Sequence, residues 1–316
     1  MAEWRTIPEA GTVLGIRVLV LLARIFGRRI AGWLLYLVAL YYALARGLAR
    51  RASRDYLRRV GLPAGFGNVV RHLHTFAQVS LDRLFFLTGQ WGAFRIEQRN
   101  HAQLVEAASS GGGVLLLGAH LGSFEVMRCR AREVDVPINV VVDYTNAARI
   151  NRVIHSLAPD FEAQMISLAD DSLAAMLAIR AAIDRGELVA ILADRRPGNA
   201  TPRRALPAAA TAPAPPPATS RRVIAPFLGA DAAFPAGPWL LAHALGCPVY
   251  FVAGVFTPPN HYSLQFELLA ERVHLDRRER DAALARYVRA YAAMLETYTR
   301  AAPMNWFNFY DFWSAS

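Results

Sequence analysis

Lysine is absent: every one of the 35 cationic residues is an arginine. Together with abundant Ala, Gly and Pro, this is the composition of a GC-rich genome and assigns no role by itself. Cysteine is nearly absent as well. Cys129 and Cys247 form no CxxC pair, which excludes a disulfide scaffold and a thiolate zinc site and fits a reducing cytoplasm. Charged side chains make up only 19% of the chain against 54% apolar ones, with a mean hydropathy of +0.21. The many long apolar segments of a transporter are missing, so a peripheral or singly anchored membrane protein is the first reading. A cleavable signal is not expected either: Arg17 and Arg24 interrupt the early apolar residues and no A-x-A site follows. There is no internal repeat, no nucleic-acid reading module and no basic stripe interleaved with stacking aromatics. DNA and RNA are therefore not expected partners.

The net charge of +10 is unevenly spread. Residues 1–60 hold eleven arginines against Glu3, Glu9 and Asp55, beside the most apolar stretch of the chain, which favours anionic lipid. Between Arg29 and Arg46 lies IAGWLLYLVALYYALA, sixteen residues without a charge. As a helix it would be about 24 Å long against a hydrocarbon core of roughly 30 Å, marginal for a span. Upstream, Arg17, Arg24 and Arg28 share one helical face, the pattern of an interfacial helix whose arginines snorkel. A buried helical hairpin is the competing reading. The flanking arginines favour the membrane and place the following domain on the cytoplasmic side.

Residues 61–316 read as an α/β domain with a mostly parallel sheet flanked by helices, because short apolar runs alternate with helical patterns. GVLLLGA, INVVVDY, QMISLA, ELVAILAD, VIAPFL, PVYFVAGVF and SLQFELLA are the expected strands. Helices are expected at about 66–90, 99–109, 123–134, 146–158, 170–185, 236–246 and 277–301. The Ala/Pro-rich stretch 199–222 has little to bury and reads as a flexible loop.

The spacing HxxxxE or HxxxxD occurs four times, so spacing alone singles out nothing. Three of the pairs (His101 with Glu106, His155 with Asp160, His274 with Glu279) lie on or beside helical patterns, where residues five apart diverge. His120 and Glu125 differ: LLLGAHLGSFE runs from a strand into a helix start, and side chains can meet across such a corner. Ser123 is a natural N-cap, Glu125 suits the first helical turn, and the carboxyl end of a strand is where α/β proteins place ligands. A carboxylate beside His120 would fix its tautomer and let it take a proton from a hydroxyl attacking an activated carbonyl. Gly122 would allow close backbone approach, and free N–H groups at the helix start would hold an oxyanion. A capped turn with His120 merely hydrogen-bonded fits these residues equally well.

GAHLGSFE behind a hydrophobic N-terminal helix resembles the bacterial lipid A biosynthesis (late) acyltransferase family, within the glycerolipid acyltransferase-like superfamily. AILADRRPG, PFLGADAAFPAGPWLLAHALGCPVYF and the closing NWFNFYDFW resemble further blocks of that family in the same order. The resemblance implies a membrane-associated acyltransferase on the cytoplasmic side of the bacterial inner membrane, with no metal or other cofactor. An acyl carrier protein or acyl-CoA thioester would be the donor, and a hydroxyl or amine of a lipid or glycolipid the acceptor. It makes His120 the general base and Glu125 its partner, and places Asp194 and Arg195 at a strand end. There Arg195 would engage phosphate on the substrate or form a structural salt bridge. Gly122 and Ser123 at the corner, and Gly229 and Gly237 in the later block, complete the expected substrate-binding set. Phe227, Gly229 and Gly237 are expected to shape the backbone and the acyl pocket. Trp306, Phe307, Phe309, Tyr310, Phe312 and Trp313 are expected in the core, the acyl route or the lipid interface. The insertion at 199–222 departs from the family pattern. Two other classes stay open: a hydrolase using Ser123, although LGSFE lacks the GxSxG elbow, and an inactive membrane-bound scaffold that binds a carrier protein.

Overall fold

VLLLG is apolar throughout, as a strand covered on both faces must be, and Val114–Gly118 is buried at all five positions. It forms the middle of a seven-stranded sheet in a computed structural model that describes residues 13–109, 111–127, 136–142, 165–167, 172–195 and 221–313. In chain order the strands are β1 (Arg95–Arg99), β2 (Val114–Gly118), β3 (Ile138–Val142), β4 (Met165–Ser167), β5 (Leu188–Leu192), β6 (Arg222–Phe227), β7 (Ala230–Pro235), β8 (Val249–Thr257) and β9 (His261–Ala270). The helices are α1 (Val13–Ala45), α2 (Gly47–Arg59), α3 (Phe66–Leu87), α4 (His101–Ser109), α5 (Ser172–Asp184), α6 (Gly237–Leu245) and α7 (Arg280–Ala301). The expected helices at 146–158 and over most of 123–134, and nearly all of the 199–222 loop, lie outside the described residues.

The sheet order is β1-β9-β8-β2-β5-β3-β4. Strands β8, β2, β5, β3 and β4 run parallel, while β9 pairs antiparallel with β8 and carries β1 parallel to itself. The expectation of a mostly parallel α/β sheet holds. Alternate β2 side chains feed opposite cores: Leu115 and Leu117 join α5, α6, α7 and the aromatic C-terminal segment, while Val114 and Leu116 join α3 and α4.

Strands β6 and β7 stand apart as a hairpin. Its tip is Leu228-Gly229, both at positive φ (50° and 79°), the two-residue turn whose twist suits paired strands. Gly237 opens α6, with a proline in its first turn and the left-handed Gly246 ending it.

At the N-terminus, Gly27 (φ 77°) breaks α1. Beyond it Ala31, Leu35, Ala39 and Ala43, spaced by four, form a buried stripe of mostly small residues against the core and α3. The opposite side exposes Trp33, Leu37, Tyr41 and Leu44, continued by Leu48 on α2. No single helix among the described residues is long and apolar enough to cross a membrane; Gly27–Ala45 and Gly47–Arg59 meet that test only as a pair bent by 97°. Arg28 corrects the snorkelling expectation. The break at Gly27 turns it inward, where its guanidinium makes two hydrogen bonds (2.5 and 2.7 Å) to the fully buried Asp82, which also accepts from Tyr262. The side chains of Arg17 and Arg24 lie outside the described residues.

Candidate active site

Parallel neighbours bring residues of equal offset side by side. Gly118 at the end of β2 pairs with Leu192 at the end of β5, and two residues further along each chain stand His120 and Asp194. The carboxylate takes both donors that His120 offers: the backbone N–H donates to Oδ2 at 3.0 Å, and Nδ1 lies 2.8 Å from Oδ1. An ionised carboxylate only accepts, so the proton of the neutral imidazole sits on Nδ1 and the lone pair on Nε2. Asp194 is wholly buried, whereas the His120 side chain keeps 29% of its surface exposed. One edge of the ring is thus locked and the other is open to a reactant.

The electrostatics suit a base. Burial pulls the His120 imidazole below its ordinary value, the Arg195 charge adds to that, and Asp194 and Glu125 pull it back. Burial alone would raise the Asp194 carboxyl, but the charge and hydrogen bonds of His120 and the charge of Arg195 hold it well below the usual carboxylate range. The pair is therefore neutral imidazole beside carboxylate near neutral pH.

The expected contact between His120 and Glu125 is replaced by this one. Glu125 forms an ion pair with Arg83 of α3 at 2.6 Å and accepts from Ser123 Oγ at 3.4 Å, reaching His120 only through its charge. Ser123 is 1% exposed, with no hydrogen bond to His120. At the corner itself, the Gly122 N–H donates to the Asn305 carbonyl and the Ser123 N–H to the Gly254 carbonyl, both at 2.8 Å. The close approach at Gly122 is to protein backbone. A Cβ there would lie 1.9 Å from the Gly254 oxygen, and φ is +67°.

The corner is completed by the closing segment, whose aromatics were expected in the core, the acyl route or the lipid interface. Leu121 bridges Trp306 in antiparallel fashion, and Phe307 N–H donates to the His120 carbonyl at 2.7 Å. Asn308, 2% exposed, donates from Nδ2 to Asp194 Oδ2 at 3.0 Å and accepts from Arg195 Nε, while another Arg195 nitrogen donates to the Phe307 carbonyl. Arg195 also lies 5.3 Å from the Tyr310 ring centre. Of the two roles open to Arg195, substrate phosphate and structural partner, these contacts fill the structural one. Asn305 fixes the start of the segment through both backbone groups of Phe256. His72 of α3 joins in: Ser53 of α2 faces its Nδ1 at 2.9 Å, and its Nε2 donates to the Trp306 carbonyl at 2.9 Å. Burial pulls His72 down to about 4, so it stays neutral.

Neither family models nor curated proteins match this chain.

The remaining residues of the expected set sit in the hairpin, at a helix start and in the aromatic core. Gly229 is the hairpin tip and Gly237 a helix start, each with open space where a Cβ would go. Phe227 is buried against Trp306, Phe312 and Trp313, so most of the aromatic set is packed core, while Phe309 and Tyr310 are half-buried. Asn308, Asn305 and His72 were missed, although asparagines inside an aromatic run are a signal: buried amides need partners. Among the described residues no group of three or more His, Cys, Asp or Glu side chains converges as metal ligands would.

Proposed function

We propose that the chain is a membrane-associated acyltransferase with His120 as general base, oriented by Asp194. The carrying observation is the locked Nδ1 edge of a neutral, partly exposed imidazole at the carboxyl ends of two parallel strands. Nε2 takes the proton of an acceptor hydroxyl or amine as that group attacks the carbonyl of an acyl thioester. The new C–O or C–N bond forms, the C–S bond breaks, and the departing thiolate receives the proton from the imidazolium. Glu125 contributes negative charge to the imidazolium and anchors Arg83. The donor is an acyl carrier protein or acyl-CoA thioester and the acceptor a lipid or glycolipid. The family-like order of the blocks supports this substrate class.

The lipid side is supported by the exposed large apolar residues of α1 and α2, with arginines at both ends, which suit the surface of an anionic bilayer. The cytoplasmic face of a bacterial inner membrane is the proposed location. The hydrolase reading loses support from the burial of Ser123 and its lack of contact with His120.

The full-length protein, given palmitoyl thioesters of carrier protein or CoA and lipid extract from a strain lacking it, should yield acylated lipid detectable by mass spectrometry. His120→Ala should lower transfer by roughly 10²–10⁴-fold while folding and vesicle binding are unchanged. A folded His120→Ala protein that transfers at the original rate overturns the proposal.

A further inference from the structure

Asp194 faces His120 with a particular edge, and something must hold that edge in place. Its Oδ1 meets the imidazole, and its Oδ2 receives the His120 backbone N–H and the Asn308 amide. The orientation of that amide follows from its neighbours. Arginine can only donate, so Oδ1 of Asn308 faces Arg195; an ionised carboxylate can only accept, so Nδ2 faces Asp194. A reversed amide would set donor against donor on one side and acceptor against acceptor on the other.

We propose that Asn308 is a positioning residue for the His120 base: its amide links Arg195 to Asp194, holds the carboxylate edge against Nδ1, and makes the C-terminal segment part of the active site. The segment is well placed for this. Between Asn305, fixed on Phe256, and Asn308 it also holds the His120 carbonyl through Phe307, so both residues of the pair are gripped by one segment. Arg195 donates twice to this segment, tying its position to the end of β5. The charged groups acting on His120 are Arg195, Asp194 and Glu125, and the tyrosines near Asp194, Tyr291 and Tyr310, are neutral because burial raises them.

Loss of the Asn308 donor leaves the Asp194 charge less neutralised, so the carboxylate holds an imidazolium more strongly. The proposal rests on the acyltransferase reading for its kinetic readout alone; the titration of His120 requires no substrate. Carbethoxylation of His120 by diethyl pyrocarbonate, followed by peptide mass spectrometry across pH, reports its protonation in the full-length protein. In Asn308→Leu, which keeps the branching of the side chain but removes its polar atoms, the midpoint should rise by about one pH unit, the equivalent of a tenfold weaker proton release. Turnover with the palmitoyl thioester should fall by roughly 10²-fold at unchanged KM. Asn308→Asp keeps the shape and the acceptor for Arg195 but turns a carboxylate toward Asp194, so its midpoint should rise further; it provides the test if the leucine variant does not fold. A midpoint that is unchanged or lowered in the folded variants overturns the role of Asn308, whatever the transfer assay gives. Absence of transfer by the wild-type protein, with the midpoints raised as stated, overturns the acyltransferase reading and leaves the positioning role standing.

Discussion

Gly122→Ala separates two uses of a glycine beside His120: room for a ligand, or room for the protein's own backbone. The added Cβ would lie 1.9 Å from the Gly254 oxygen and 2.7 Å from the Gly254 carbonyl carbon, and backbone cannot swing aside as a side-chain tip can. The left-handed φ of +67° costs an alanine roughly 1–2 kcal/mol. Overpacking against β8 adds about 1–3 kcal/mol. Strain on the Ser123-to-Gly254 hydrogen bond adds up to about 1 kcal/mol. The total, roughly 2–6 kcal/mol, is a large share of the 5–15 kcal/mol typical of a folded protein. The other two nominated glycines are internal controls. Gly229 has φ +79° and open space, so Gly229→Ala should show only the backbone strain, roughly 1–2 kcal/mol. Gly237 has open space and no positive φ, so Gly237→Ala should be within roughly 0.5 kcal/mol of the original protein. Urea unfolding followed by tryptophan fluorescence would rank the three. A Gly122→Ala protein with an unchanged midpoint and a raised KM would refute the backbone account and return this glycine to the ligand.

Asp194→Asn removes the charge and the tautomer control together, so transfer should fall by roughly 10⁴-fold with KM little changed; steady-state kinetics check this, and near-normal turnover would show that His120 needs no carboxylate at Nδ1. His72 has a depressed native value of about 4 against an ordinary value of 6.5, so its contribution to stability is complete above the ordinary value and is lost as pH falls toward 4. For a fully buried imidazole the loss is about 3 kcal/mol. His72→Gln should flatten melting temperature against pH in that window without abolishing the slope, since burial also depresses His74 and His120; an unaltered slope would show that His72 is not the titrating group. Ser123→Ala should retain transfer within a few-fold, and loss of activity in a stable variant would revive a nucleophilic serine. Leu37→Glu with Leu44→Glu should weaken binding to anionic vesicles by roughly 10²-fold in sedimentation assays, and undiminished binding would remove α1 as the docking face.

Strands with continuous apolar runs were legible because burial on both faces leaves no polar position to confuse the reading; β2, β5 and β8 are of this kind. RIEQR (β1) was not, since an edge strand with exposed ends carries no apolar run, and its pairing with β9 does the work. ADAAFP (β7) is poor in branched residues and is held by its hairpin partner. At the site, His120 was legible from the strand-to-helix corner. Its carboxylate partner was not, because a glutamate five residues away was the visible choice while the true neighbour lay across a parallel pairing 74 residues distant. Asp194 and Arg195 were found as a strand end, but their division of labour depends on Asn308. Arg28 was misread because helical periodicity was carried through Gly27, where the backbone leaves the helix.

The segment running through Asn305 and Asn308 also gives the site a birth order. Asp194 meets its amide partner only after 114 more residues have been joined. At about 5–20 residues per second that is a wait of roughly 6–23 s on the ribosome. During that interval β2 and β5 can pair and His120 can find Asp194, but nothing yet holds the carboxylate edge or the His120 carbonyl. A nascent chain would therefore hold His120 and Asp194 only loosely paired, and their geometry would be complete only when the closing segment reaches the sheet.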